Sequence, residues 1–296
     1  MNRIKPSCYH LLFQVLHLLY GCFVVQGAYR DGDIILGGLF SIHQQGSSEG
    51  QCGALYTKGL GAAVAMIFAV EKINNDSSLL PNITIGYDIR DYCESVTRAT
   101  QITYDLVKDK CCMNETRRTG RKKSIMAIIG PYESRVALVI AGGLQMFNIS
   151  AISGTTSSPE LGSISYKNFF RTIPSDTFLA KAMADTMEYF NWTYVGAVGL
   201  ADSYGRNGVW SLAKEATNRK SHLCVALTAF VDLEEPYKSA RKIVKRLRKR
   251  ENVRVIATWL FGSFEEIFYR EVQRQNLTGR VWVTSYSSAS DRKSVV

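Results

Sequence analysis

Histidine is scarce in this 296-residue chain: His10, His17, His43 and His222 are the full set, and the first two fall in an N-terminal leader. A catalytic triad built on imidazole therefore has little material. Walker phosphate-binding spacing and zinc-ligand spacing are both missing. Gly59-Leu-Gly61-Ala-Ala-Val64 comes nearest to a dinucleotide fingerprint, but Val64 stands at the third glycine position and residues 44–58 separate it from the preceding strand-like run. It reads as a glycine-rich helix start. No enzyme activity, catalytic residue or cofactor is expected.

Long apolar runs are also lacking, with one exception. Arg3 and Lys5 precede an apolar stretch from Cys8 to Val25 that closes on Val25-Gln26-Gly27. His10, Gln14, His17 and Gln26 interrupt it, so it falls short of the roughly 20 clean apolar residues of a spanning helix. Residues 1–27 read as a signal peptide. Six sequons, at Asn75, Asn82, Asn114, Asn148, Asn191 and Asn276, agree with a secretory route. Cys8 and Cys22 leave with the leader, while Cys52, Cys93, Cys111, Cys112 and Cys224 stay, an odd number for an oxidising compartment.

Acidic residues are few against the basic ones, 26 to 36, for a formal charge of +10. Much of the excess lies in Arg117-Arg118 with Arg121-Lys122-Lys123, which reads as a loop, and in Lys238 through Arg250. In the second run Ile243, Val244 and Leu247 recur at one-turn intervals, which describes a surface helix with a basic outer face. No nucleic-acid partner is expected of an exported chain.

The remaining residues alternate strand and helix. Buried-strand runs at Ile34–Phe40, Ile83–Tyr87, Ile125–Ile129, Ile149–Ile152, Tyr194–Val198, Leu223–Phe230, Val253–Trp259 and Val281–Thr284 are interleaved with helical periodicity. The helices fall at Gly59–Asn74, Ser95–Val107, Val136–Phe147, Thr177–Phe190, Gly205–Thr217, Tyr237–Arg250 and Ser263–Gln275. Ser95 and Ser175 are placed as N-caps. Such alternation implies an α/β fold with parallel sheets flanked by helices, and ligands at the carboxyl ends of the strands. The length exceeds what one core normally serves, so two lobes are expected. Thr172-Ile-Pro174-Ser-Asp176 makes a crossover, giving lobe 1 over residues 28–173 and lobe 2 over residues 174–296.

Several segments in order carry a family resemblance: Gly32-Asp-Ile-Ile-Leu-Gly-Gly-Leu-Phe40, Ala65-Met-Ile-Phe-Ala-Val-Glu-Lys-Ile-Asn-Asn75, Phe170-Arg-Thr-Ile-Pro-Ser-Asp176, Tyr189-Phe-Asn-Trp-Thr-Tyr-Val195 and Asp202-Ser-Tyr-Gly205. The chain resembles the ligand-binding domain of class C G-protein-coupled receptors, in the calcium-sensing and metabotropic glutamate branch. The resemblance implies a bilobed Venus-flytrap fold, similar to periplasmic binding proteins, in which an amino-acid-like ligand closes two lobes. Ser134, Gly154 and Thr156 match the residues that receive the ligand's carboxylate and amine from lobe 1. Asp176 and Tyr204 match the acid and the ring that face the ammonium from lobe 2. Read alone, Ser134 and Asp176 serve equally as helix caps and Tyr204 as a core ring; their joint placement at strand ends favours the site.

Departures from the family pattern narrow the ligand. Tyr286 stands where the family usually has an acid, with Ser288 in place of a tryptophan; Ala62 replaces the arginine of glutamate receptors, and Lys58 the arginine of calcium-sensing ones. Glutamate is therefore not the expected ligand. The resemblance further implies a Cys52–Cys93 disulfide, intersubunit disulfides at Cys111 and Cys112 in a homodimer, and pairing of Cys224 with a downstream cysteine-rich domain. Ile73, Asp76, Leu79 and Leu80 match a loop that can hold a cation such as calcium, although the residues alone read more simply as a helix-ending turn. The chain ends at Val296, which leaves the first lobe incomplete and no membrane bundle for a G protein to engage. The expected function is the extracellular ligand-binding region of a receptor at the cell membrane, sensing an amino acid, a related small molecule or calcium. The alternative is a secreted decoy without signalling parts.

Overall fold

The computed structural model describes residues 27–46, 51–111, 125–219 and 223–285, the side chains of 109–111 excepted. Two parallel-dominated sheets divide it. The first is built from β1 (Gly27–Arg30), β2 (Ile34–Phe40), β5 (Ile85–Asp91), β6 (Ile125–Ile129), β7 (Ser150–Ser153) and β8 (Phe169–Arg171), in the order β1-β5-β2-β6-β7-β8. Every neighbouring pair is parallel except the edge pair β1–β5. The near-continuous apolar composition of β2 follows from burial on both faces. On one face α1 (Thr57–Asn74) packs Ala63, Met66 and Val70 against Phe40, Ile85 and Ile89. On the other, α2 (Val96–Cys111) and α3 (Ser134–Met146) bury Leu106, Val136, Ile140 and Leu144 against Ile35, Leu39 and Ile128.

The second sheet is wholly parallel, in the order β10-β9-β11-β12, from β9 (Tyr194–Leu200), β10 (Cys224–Val231), β11 (Val255–Trp259) and β12 (Val281–Thr284). Helices α4 (Asp176–Tyr189), α5 (Ser203–Asn218), α6 (Pro236–Arg248) and α7 (Gly262–Arg274) flank it. Its core runs from Ala180 to Leu277 and shares no residue with the cores of the first sheet. Two glycines let α5 lie close against this sheet. A Cβ on Gly205 would sit 2.1 Å from the Leu200 amide nitrogen, and one on Gly208 would sit 2.2 Å from the Trp259 indole.

The helical and strand periodicities place most elements within two residues of their observed bounds. Strand β5 differs: it starts at Ile85 and runs on to Asp91, because Thr84 is held in the preceding turn by Asp33. The Asp33 carboxylate accepts from both the Thr84 amide (2.9 Å) and hydroxyl (2.8 Å). Edge strand β8 is the strand expected to end at the Pro174 crossover, whereas edge strand β1 and the hairpin of β3 (His43–Gln45) with β4 (Cys52–Leu55) are not predicted by the pattern. They are too short for a period-two signal to develop. Ser95 and Ser175 do cap their helices, accepting from Arg98 N (3.2 Å) and Thr177 N (3.4 Å).

A Cys52–Cys93 disulfide closes a 41-residue separation and ties the hairpin to the end of β5. By chain entropy such a loop contributes about 3–4 kcal/mol. Among the described residues Cys224 is an unpaired, exposed thiol, while Cys112, Asn114, Tyr286 and Ser288 lie outside them, as do the side chain of Cys111 and residues 1–26 of the leader. Sequon residues Asn75, Asn82, Asn148, Asn191 and Asn276 are all exposed, the last four with left-handed backbone at turns. Among the described residues no helix is long and apolar enough to cross a membrane.

Candidate functional site

The carboxyl ends of both sheets open onto one cleft of about 440 Å³. Strand β6 delivers Tyr132, Glu133 and Ser134; β7 delivers Gly154, Thr155 and Ser157; the second sheet contributes Tyr204, Phe261 and Ser285. Parallel strands flanked by helices expose their carboxyl ends together, which is why residues distant in sequence meet here. Ser134, the first residue of α3, uses its Oγ to accept from Ser158 N at 3.2 Å and keeps its own proton available. At a helix N-terminus, that hydroxyl and the adjoining amides suit an anion.

Facing it from the second sheet, Asp176 opens α4 and is fully buried. Its Oδ2 accepts from Ser157 Oγ at 3.0 Å, so one serine spans the two sides. Its Oδ1 has no hydrogen-bond partner among the described residues. The Trp259 indole N–H lies near enough to favour the charged form but reaches no bonding geometry, and it too is unpartnered. Burial dominates and pushes the Asp176 carboxyl up to about 6. The Tyr204 hydroxyl meets Ser285 Oγ at 2.6 Å, and its ring packs edge-on against Phe261 at 5.5 Å. Burial, then the nearby Asp176, drive the Tyr204 phenol upward, so it stays neutral.

Beside the cleft, joined to its lining through Glu133, sits a buried charge network. Glu133 Oε1 accepts from Ser41 Oγ at 2.8 Å, and its Oε2 from Arg135 Nε at 3.0 Å. Arg135 also donates to the Glu94 carbonyl at 2.5 Å. Glu94 follows Cys93, both in left-handed backbone, and presses its carboxylate onto the other lobe. Its Oε2 accepts from Ser263 Oγ at 3.4 Å, and its Oε1 abuts Gly262 without a hydrogen bond. Burial and then the Glu133 charge push Glu94 up to about 7, against the opposing pull of Arg135. Across the cleft, burial first and foremost raises Asp202 as well. A further bridge between lobes comes from Asn207, whose Nδ2 donates to Ser158 Oγ (3.2 Å) and Glu160 Oε1 (2.7 Å).

Of the residues placed here by sequence, Ser134, Gly154, Asp176 and Tyr204 line the cleft. Thr156 does not: it is wholly buried behind the lining, its amide turned to Ser153 Oγ at 3.2 Å and its hydroxyl without a partner among the described residues, while Thr155 and Ser157 reach the surface on either side. Lys58, near the start of α1, is partly buried and outside the lining. Phe178 and Leu179, on α4, lie outside the strand-end stretches where ligand contacts are expected, whereas Glu133 falls in the stretch after β6, beside Ser134. The Asp76 turn is closed on itself, with the carboxylate Oδ1 accepting from Ser78 N (2.9 Å) and Oγ (2.6 Å). Ile73 O accepts from Asp76 N, and Leu80 O from Ile83 N. Among the described residues, His43, Asp91 and Cys93 are the one group of metal-ligating types that converge, and the Cys93 sulfur is committed to its disulfide.

Comparison with known proteins gives a consistent answer. Residues 61–295 match the family described as receptor family ligand binding region. The extracellular calcium-sensing receptor of Mus musculus is 34% identical over 281 residues, 90% of this chain and 26% of that protein. Its Homo sapiens counterpart is 34% identical over the same length. Metabotropic glutamate receptor 4 of Rattus norvegicus is 34% identical over 274 residues, 88% of this chain and 30% of the receptor. The chain thus spans between a quarter and a third of the length of the curated relatives it matches.

Proposed function

We propose, starting from the fact that this chain belongs to the receptor family ligand binding region, that it is the extracellular sensing part of a class C G-protein-coupled receptor. In this reading a small amino-acid-like ligand draws the lobes over residues 28–173 and 174–296 together. The observation that carries it is Asp176 Oδ1, a buried acceptor with no hydrogen-bond partner among the described residues, facing the same cleft as the Ser134 hydroxyl and the Tyr204 ring. An unpaired buried acceptor is costly, and an ammonium donor relieves it. The ligand's carboxylate then meets Ser134 at the start of α3, and its ammonium lies between Asp176 and the face of Tyr204.

The lining also speaks to the side chain. Ile173, Phe178, Leu179 and Phe261 offer an apolar wall, and among the described residues the carboxylates of the lining are Glu133 and Asp176, with no Lys or Arg beside them. An apolar or aromatic amino acid fits, and glutamate does not. Calcium remains a second ligand of this reading, favoured by the same acidic lining and by the name of the calcium-sensing relatives. Homodimerisation is supported by an outward stripe on α1 of Gly61, Val64, Ala65, Phe68 and Ala69, with Phe68 65% exposed. Cys111 and Cys112 are the proposed covalent link. The alternative, a decoy that captures ligand without signalling, uses the same cleft.

Titration calorimetry of the secreted chain against the twenty amino acids and calcium tests the reading. An apolar amino acid is expected to bind, and Asp176→Asn to weaken it at least about thirtyfold. Binding of none of these ligands, or unchanged affinity in Asp176→Asn and Ser134→Ala, sinks it.

A further inference from the structure

Helix α6 carries a feature that neither the cleft nor the fold requires. Between Lys238 and Arg250 the sequence has eight basic residues and no acid. Ala240, Ile243, Val244 and Leu247 are buried in the lobe 2 core, which fixes the rotation of the helix. At 100° per residue, Lys238, Lys242, Lys245, Arg246 and Lys249 then fall within an arc of about 100° on the outer side, along about 16 Å of axis. All five are exposed.

Helix stability does not account for this arrangement. Cations favour the last turn of a helix, where Lys245, Arg246 and Arg248 lie, but Lys238 sits near the positive N-terminal end. Lys238 with Lys242, Lys242 with Arg246, and Lys245 with Lys249 are like-charge pairs at four-residue spacing, each repulsive. Lys238 reaches Glu235 at 2.8 Å and Arg246 donates to the Thr228 carbonyl at 3.3 Å. Lys242, Lys245 and Lys249 make no side-chain hydrogen bond or ion pair among the described residues. Beyond the helix, Arg280 donates to the carbonyls of Glu251 (3.1 Å) and Leu247 (3.4 Å), and Arg254 is exposed, extending the positive surface.

We propose that this face is a docking site for a linear sulfated polysaccharide of the heparan sulfate type. The inference rests on the extracellular placement proposed above. A rigid row of cations matches a rod-like polyanion by charge, and each contact releases condensed counterions. Insertion into a membrane is disfavoured, because the apolar side of α6 is already committed to the core.

The test is retention of the purified full chain on immobilised heparin, with surface plasmon resonance across a salt series; it involves no cleft ligand and so is independent of that reading. Lys242→Gln, Lys245→Gln and Lys249→Gln together are expected to weaken binding roughly tenfold or more and to flatten the salt dependence. A control combining Lys72→Gln, Lys181→Gln and Lys214→Gln, exposed positions elsewhere with the same loss of charge, is expected to retain binding. Equal loss in both triple variants reduces the effect to net charge and overturns the proposal. Retention that survives desulfation of the heparin overturns it too, as does preference for phosphatidylserine vesicles or duplex DNA. Circular dichroism of each variant checks that the helix is intact.

Discussion

Glu94 is an acid held where its charge is costly, and it illustrates what single residues decide here. With about 7 for Glu94 and about 6 for Asp176, both lie above the ordinary carboxylate range. The folded chain therefore binds these protons more tightly than the unfolded one. Stability that is complete below about pH 4 declines as pH rises through 6 and 7. Glu94→Gln removes one of the two terms, so its stability at pH 7.5 is expected to exceed that of the parent by on the order of 2 kcal/mol, with little difference near pH 4. Urea midpoints at the two pH values measure this, and parallel pH profiles for variant and parent would refute the assignment. None of it was legible in the sequence, where Glu94 is one acid in a turn. Its environment comes from Glu133, Arg135 and Ser263, which are 39 to 169 positions away.

At the scale of elements, the sequence was informative wherever a helix or strand is amphipathic or buried over several residues. Strands β6 and β12 fall on the residues where apolar runs place them, and α6 shows its buried face as Ile243, Val244 and Leu247. What escaped was packing between elements, because periodicity says nothing about which glycine touches which ring. Gly208 is such a case: α5 rests on Trp259 through it, with no room for a Cβ. Gly208→Ala is expected to push α5 off the sheet and destabilise lobe 2 by about 1–3 kcal/mol, despite alanine's better helix propensity. Thermal melting of the variant decides it; an unchanged or raised midpoint would mean that the indole yields without cost.

At the scale of the whole molecule, alternation of strand and helix gave away the α/β class, and strand ends gave the general position of the cleft. The contacts that hold one lobe to the other were not readable, since they are made by scattered polar side chains with no periodicity. Asn207 is the clearest, reaching from α5 to Ser158 and Glu160 across the gap. Asn207→Ala removes both bonds, each worth about 1 kcal/mol, and is expected to shift the population toward separated lobes. Small-angle scattering would register a larger radius of gyration; identical profiles would show that Asn207 has no part in holding the lobes. The cross-link at Cys52–Cys93 has a reach beyond its own loop. Cys93 and Glu94 are consecutive and share one unusual backbone bend, so the covalent tether to the hairpin also pins the acid on which the opposite lobe leans. A thiol reductant thus gains leverage over the jaw without ever entering the mouth.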